Sequence, residues 1–167
     1  MQDIIEKARL DCDSVGGIIE CAVLGLPVGI GEHMFAGLEG RISSIVFSIP
    51  AVKAIEFGKG FGSTELYGSE NNDPYFIDGG EIKTRTNNCG GISGGMSNGM
   101  PLIFRAGIKP TPSISKEQDS VSLSKRENVK LVIKGRHDPC IVPRALPAIE
   151  AVTAIAIANL LAEEAEN

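Results

Sequence analysis

The chain has 167 residues, enough for one domain or part of a larger one, and enough to bury a core without disulfide or metal staples. Apolar residues at 43% and charged residues at 22% exclude a disordered chain. The net charge of −5 argues against holding nucleic acid by phosphate neutralisation, while leaving room for a local basic pocket.

Residues 2–10 read as the end of a helix, with Ile4, Ile5, Ala8 and Leu10 near one face. Asp13-Ser14-Val15-Gly16-Gly17 breaks it, and residues 18–24 read as a buried strand. Residues 25–31 form a turn around Pro27. The spacing of Met34, Leu38, Ile42, Ile45 and Val46 predicts a helix over 34–48, weakened by Gly37 and Gly40 and stopped by Pro50. Residues 51–57 read as a second strand and residues 58–63 as a glycine bend. Residues 63–80 read as an exposed loop, rich in turn formers at Asn71, Asn72, Asp73 and Pro74. A short polar strand follows at 81–86, then a glycine-dense stretch to Pro101 and an apolar strand at 102–108. Residues 121–123 and 129–134 read as a hairpin across a charged turn. The last element, residues 144–163, is an apolar helix of the kind buried inside larger structures. Pro143 and Pro147 are tolerable in it only at its start, where backbone N–H groups lack helical partners. Hairpins beside helices favour an α+β arrangement over a purely parallel sheet.

Glycine makes up 20 of the 167 residues, well above the usual share of about 7%, and falls in clusters. The four cysteines, Cys12, Cys21, Cys89 and Cys140, form no CxxC, and only His33 and His137 could join them. A zinc or other metal site is not expected, and reduced thiols in an intracellular protein are. The charged first thirteen residues do not read as a secretory leader. No run of about 18 uninterrupted apolar residues reads as a membrane span.

Three segments have the makings of a site. Successive amides in Asn87-Asn88-Cys89-Gly90-Gly91-Ile92-Ser93-Gly94-Gly95-Met96-Ser97-Asn98-Gly99 can form a concave anion receptor, or merely tight turns. No GxxxxGK[ST] is present, so a P-loop is not supported. Lys109-Pro110-Thr111-Pro112-Ser113 ends an apolar strand. Its two prolines stiffen it, and it offers one ammonium and two hydroxyls. It reads either as a ligand segment or as an edge strand leaving a sheet. Gly135-Arg136-His137-Asp138-Pro139-Cys140 precedes the last helix, whose N-terminus favours an anion. In extended geometry Arg136 and Asp138 point to one side and His137 to the other. Arg136 offers a planar fork for carboxylate or phosphate; Asp138 serves the ligand, caps the helix or pairs with Arg136.

Gly135-Arg136-His137-Asp138-Pro139-Cys140, followed by Arg144-Ala145 and Glu150-Ala151, closely resembles the C-terminal signature of the chorismate synthase family. Asp13-Ser14-Val15-Gly16-Gly17, the glycine cluster and Lys109-Pro110-Thr111 resemble that family's other C-terminal motifs, in the same order. The resemblance implies an α+β, β-α-β sandwich of antiparallel sheets packed on central helices, assembled as a cytoplasmic homotetramer. It implies anti-1,4 elimination of phosphate from 5-enolpyruvylshikimate 3-phosphate to give chorismate, the last step of the shikimate pathway. Reduced FMN is required, with NADPH serving only as the flavin's reductant in members that reduce it themselves. Carried onto this sequence, Lys109, Pro110, Thr111, Pro112, Ser113, Gly94, Ala51 and Arg136 bind FMN. Pro50 stands where the family often has Asn before that alanine.

In the same resemblance Asp138 and Arg136 are the catalytic pair. Arg136 lies between flavin and substrate, Asp138 sits near the flavin N5, and His137 orients their loop. The family's sequences are roughly twice this length, and the two acid histidines and the substrate arginines of its N-terminal half match nothing here. The expectation is that residues 1–167 are the C-terminal portion of one chorismate synthase domain, inactive or nearly so alone. The alternative is a non-catalytic fragment that binds flavin or serves subunit assembly. Nucleic acid and membrane partners are not expected.

Overall fold

A computed structural model describes residues 1–166. Helix α1 (Gln2–Leu10) leads through the 13–17 turn into strand β1 (Gly17–Val23). Helix α2 (Leu38–Val46) is followed by β2 (Val52–Phe57), a short helix α3 (Gly68–Asn71), and the strands β3 (Tyr75–Asp78) and β4 (Glu81–Thr84). Then come the two-residue strands β5 (Ile92–Ser93) and β6 (Met96–Ser97), and β7 (Leu102–Ile108). Strands β8 (Gln118–Ser122) and β9 (Glu127–Leu131) precede the long helix α4 (Val142–Glu166).

β7 is the centre of the molecule. It pairs antiparallel with β1 on one side and with β2 on the other, giving the order β1-β7-β2. Its residues alternate in burial as a strand's two faces require. Leu102, Phe104, Ala106 and Ile108 face the core, and Phe104 is fully buried with its ring centroid 5.8 Å from that of Phe57. The core face of the sheet is covered by α2, which buries Leu38, Ile42 and Val46 at four-residue steps, and by α4, which buries Ile149, Ala156, Ile157 and Leu160. Thr153 is a buried polar residue of α4; its hydroxyl donates to Ile149 O at 2.7 Å. Cys21 Sγ reaches that hydroxyl from β1 at 3.8 Å, and burial pushes the thiol's pKa up although the Thr153 contact lowers it.

Several elements differ from expectation. β1 is half-buried rather than buried, with Ile18 66% exposed on the open face of the sheet. The helix expected over 34–48 divides at Gly37, whose extended backbone separates a 3-10 turn (Met34–Ala36) from α2. The loop expected at 63–80 contains α3 and β3, and β3 closes on β4 as a hairpin through Gly79 and Gly80, at φ 60° and 90°. Only glycine adopts two successive left-handed residues without strain. The hairpin expected at 121–134 lies three residues earlier at its first strand, as β8 and β9.

In α4, Pro147 lies inside the helix rather than at its start. It has no N–H to give the carbonyl of Pro143, and both residues are exposed, so that carbonyl faces water. α4 is also not enclosed. By length and composition it is apolar enough to cross a membrane, and 28% of its apolar stretch is buried. Its inner face packs on α2 and β1, while Leu146, Ala151, Ile155 and Leu161 look outward.

Candidate active site

β7 ends at Ile108 because Pro110 and Pro112 have no N–H with which to continue a ladder. The chain leaves the sheet as a stiff strap, residues 109–113. Lys109 N–H donates to Ala51 O at 2.9 Å, so the strap's first residue is tied to the entry of β2. Ala51 has φ 73°, a left-handed conformation that costs a non-glycine residue free energy and gathers at functional ends of folds. The β2 register shifts between Val52 and Ala54 directly after it.

Further along, Ser113 Oγ lies 3.1 Å from His137 Nδ1, and His137 Nε2 lies 2.9 Å from Ile133 O. A carbonyl only accepts, so Nε2 carries a proton, and in the neutral tautomer Nδ1 accepts from the Ser113 hydroxyl. His137 therefore bridges the strap to the chain leaving β9 and fixes the turn at residues 135–138. Asp138 Oδ1 accepts from Cys140 N–H at 3.2 Å, just ahead of α4. Arg144 Nη1 stands 3.1 Å from Asp138 Oδ2, close enough to pair the charges but not aligned for a hydrogen bond. Arg144 is 78% exposed, so solvent weakens that pair.

Arg136, Asp138 and Arg144 line a cleft of about 550 Å³ with Arg9, Asp13 and Ser115. His137 lines it too, rather than pointing away as an extended chain requires. Three guanidiniums around one opening make a basic pocket in an acidic protein, suited to an anionic ligand. Arg9 itself is tied to Glu6 at 2.6 Å, and that hydrogen-bonded charge holds its pKa up. Asp13 is held below the usual carboxylate range, first by the Ser14 N–H and then by Lys116. Two buried polar atoms lack a hydrogen-bond partner among the described residues: Thr111 Oγ1 on the strap, and in the cleft wall Asp138 Oδ2, which has only its ion pair with Arg144. Unsatisfied groups of this kind cost roughly 1–3 kcal/mol each, and they fit a polar ligand such as FMN that supplies the missing partners.

The glycine cluster lies elsewhere. Its hairpin β5–β6 sits at the start of β7, where Ile103 N–H donates to Gly90 O and Leu38 N–H to Gly95 O. β7 spans about 20 Å at the usual strand rise, so Gly94 is not brought to the strap within one copy of the chain. The amides expected as an anion receptor already have one. Asp73 accepts from Asn88 N at 2.7 Å, Cys89 N at 2.9 Å and Thr86 Oγ1 at 2.7 Å. Burial alone raises the Asp73 pKa, but these donors outweigh it and lower it. Cys89 beside it is pushed up, by burial first and then by Asp73. This part of the cluster is a turn locked by an internal carboxylate.

Among the predicted site residues, then, Ala51, Lys109, Pro110, Thr111, Pro112, Ser113, Arg136 and Asp138 meet at one end of the sheet, and Gly94 does not. Sequence reasoning missed Arg9 and Ser115 in the cleft wall. Arg9 lies on the last turn of α1, and only its position four residues before Asp13 hinted at a shared pocket.

The family model described as chorismate synthase matches residues 1–162. The chain is 53% identical to the chorismate synthase of Dehalococcoides mccartyi over 160 residues, covering 96% of this chain and 44% of that protein. It is 53% identical to that of Methanococcus maripaludis over 161 residues, covering 96% and 43%. A crystal structure of chorismate synthase superimposes with a TM-score of 0.77 at 30% identity, over 98% of this chain and 42% of that one. The chain thus spans less than half the length of the relatives it matches. The fold is the expected one, α+β with antiparallel sheets packed on central helices. The chain belongs to the chorismate synthase family.

Proposed function

We propose that this chain is the C-terminal portion of a chorismate synthase and carries the flavin-facing part of its site. The reaction is the 1,4-elimination of phosphate from 5-enolpyruvylshikimate 3-phosphate, giving chorismate, with reduced FMN required. The single observation behind this reading is the convergence of Ala51, the strap, Arg136 and Asp138 on one end of the sheet beside a cleft rimmed by Arg9, Arg136 and Arg144. When bound, FMN supplies the electron density that the elimination needs.

The chain's own residues bind, orient and move a proton. Lys109 and Arg136, both exposed, present cations to the phosphate and carboxylate groups of flavin and substrate. Thr111 Oγ1 has no hydrogen-bond partner among the described residues and is proposed to bond the flavin. Asp138 Oδ2 accepts no hydrogen bond among the described residues and is paired only with the exposed Arg144, while Oδ1 is held by Cys140 N–H. That leaves one carboxylate oxygen to exchange a proton with the flavin N5. His137, pinned at both ring nitrogens, orients the turn and is not the acid. Gly94 serves a flavin only from a second copy of the chain. NADPH enters only as a reductant. The setting is a cytoplasmic homotetramer.

The open apolar face of α4 favours a second reading, in which the chain is chiefly an assembly half of that fold.

FMN titration followed by flavin fluorescence, with and without 5-enolpyruvylshikimate 3-phosphate, tests the first reading. The chain is expected to bind FMN, to bind it more tightly with substrate present, and to make little or no chorismate unaided. Absence of flavin binding under both conditions overturns it.

A further inference from the structure

We infer that the turn Asp13-Ser14-Val15-Gly16-Gly17 is a clamp that holds the proline strap against the chain entering α4 at Pro139 and Val142, with Ser14 as its positioning residue. The inference rests on the reading of the strap as flavin-facing.

β1 pairs with β7 up to Gly17↔Ile108. Continued one residue at a time, that antiparallel register sets Gly16 opposite Lys109, Val15 opposite Pro110 and Ser14 opposite Thr111. An ordinary ladder cannot form there, because Pro110 and Pro112 donate nothing. Other contacts replace it, and they go alternately to the strap and to the chain entering α4.

Ser14 and Gly16 serve the strap. Ser14 Oγ donates to Thr111 O at 2.6 Å. Gly16 lies so close under the strap that a Cβ there would stand 2.3 Å from Ile108 O and 3.0 Å from Pro110 Cδ. Val15 and Gly17 serve the other side. Val15 N–H donates to Pro139 O at 2.9 Å, and a Cβ on Gly17 would meet Val142 Cγ2 at 3.1 Å. One five-residue turn therefore grips both candidate ligand segments. Its outer end is anchored in turn, since Lys116 pairs with Asp11 at 2.6 Å and Asp13 at 3.1 Å, and Lys116 N–H donates to Cys12 O. The carbonyl that Ser14 holds belongs to Thr111, the residue whose own hydroxyl is buried without a partner. A shift of that carbonyl moves the hydroxyl directly.

The test compares Ser14→Ala, Ser14→Thr and a control hydroxyl deletion, Thr64→Val, whose Oγ1 donates to Phe61 O beyond the opposite end of β2. Two readouts are taken on the whole chain: amide hydrogen exchange of residues 109–116, and FMN affinity. Ser14→Ala is expected to speed exchange in the strap about tenfold and to weaken FMN by about five- to tenfold, the scale of one lost hydrogen bond. Ser14→Thr, which keeps the hydroxyl, is expected to restore both, and Thr64→Val to leave both unchanged. Unaltered strap exchange in Ser14→Ala overturns the clamp. Altered exchange with unaltered FMN affinity also overturns it as a positioning device. If the unsubstituted chain takes up no FMN, the functional reading fails, and the clamp then stands or falls on exchange alone.

Discussion

Replacing Thr111 by Val separates stability from function at a single atom. Thr111 Oγ1 is buried and has no hydrogen-bond partner among the described residues. Val has the same branching at Cβ and nearly the same shape, so the side chain keeps its rotamer and its packing. What changes is that a desolvated hydroxyl becomes a methyl. An unsatisfied buried hydroxyl costs about 1–3 kcal/mol, and removing it from a site with no partner recovers part of that. T111V is therefore expected to be more stable by about 1 kcal/mol, a rise of roughly 2–4 °C in melting temperature for a domain of this size. If the hydroxyl serves the flavin, the same change weakens FMN by about five- to tenfold. Thermal melts without flavin and fluorescence titration with it measure the two effects on one sample. A variant that melts lower means the hydroxyl is paired in solution. A variant that binds FMN as tightly as the unsubstituted chain removes Thr111 from the site.

Phe104→Ala, at a fully buried position in β7, is expected to cost about 3–5 kcal/mol, read as a lowered urea midpoint or outright loss of the fold; a cost under about 1 kcal/mol contradicts the placement of the core. Asp73 carries a depressed pKa in the folded chain. Its stabilising contribution is complete above the unfolded carboxylate value of about 3.9 and is lost as pH falls through the lower folded value. Hydrogen exchange of Asn88 and Cys89 is expected to accelerate in that acid range, beyond the intrinsic pH effect, and not in Asp73→Ala. On α4, Ile155 is 55% exposed, so Ile155→Glu should leave the chain folded. If the outward face is covered in the assembled protein, sedimentation will show association in the unsubstituted chain and a monomer in the variant.

The parts of the fold legible in the sequence are those with a strong local period. β7 alternates large apolar residues with Ile103, Arg105 and Gly107, and α1 carries its apolar residues near one face, so both are found close to their true ends. β3 was hidden because Asn71, Asn72, Asp73 and Pro74 before it and Gly79-Gly80 after it read as one continuous loop. The two glycines were the hairpin signal. The break at Gly37 ahead of α2 follows the glycine's own weak helix propensity, whereas the placing of Pro147 inside α4 goes against local propensity.

At the candidate site the strap and the 135–138 turn carry motifs and were visible. Arg9 joined them only through the path of α1 against the start of α4, which no local pattern encodes. The glycine cluster illustrates the opposite error. Its amides do receive an anion, but the anion is Asp73, fifteen residues from Asn88 along the same chain.

The pairing order has a consequence for biogenesis. β1 and β2 touch β7 and not each other. As the polypeptide leaves the ribosome, β1 and β2 emerge ahead of the strand that both pair with in this sheet, Leu102 to Ile108. Such late, long-range closure makes for slow folding and leaves apolar β1 and β2 open to wrong partners meanwhile. Chaperone dependence during synthesis should accordingly fall on the segment before β7, and a stall placed there should yield aggregation-prone nascent chains.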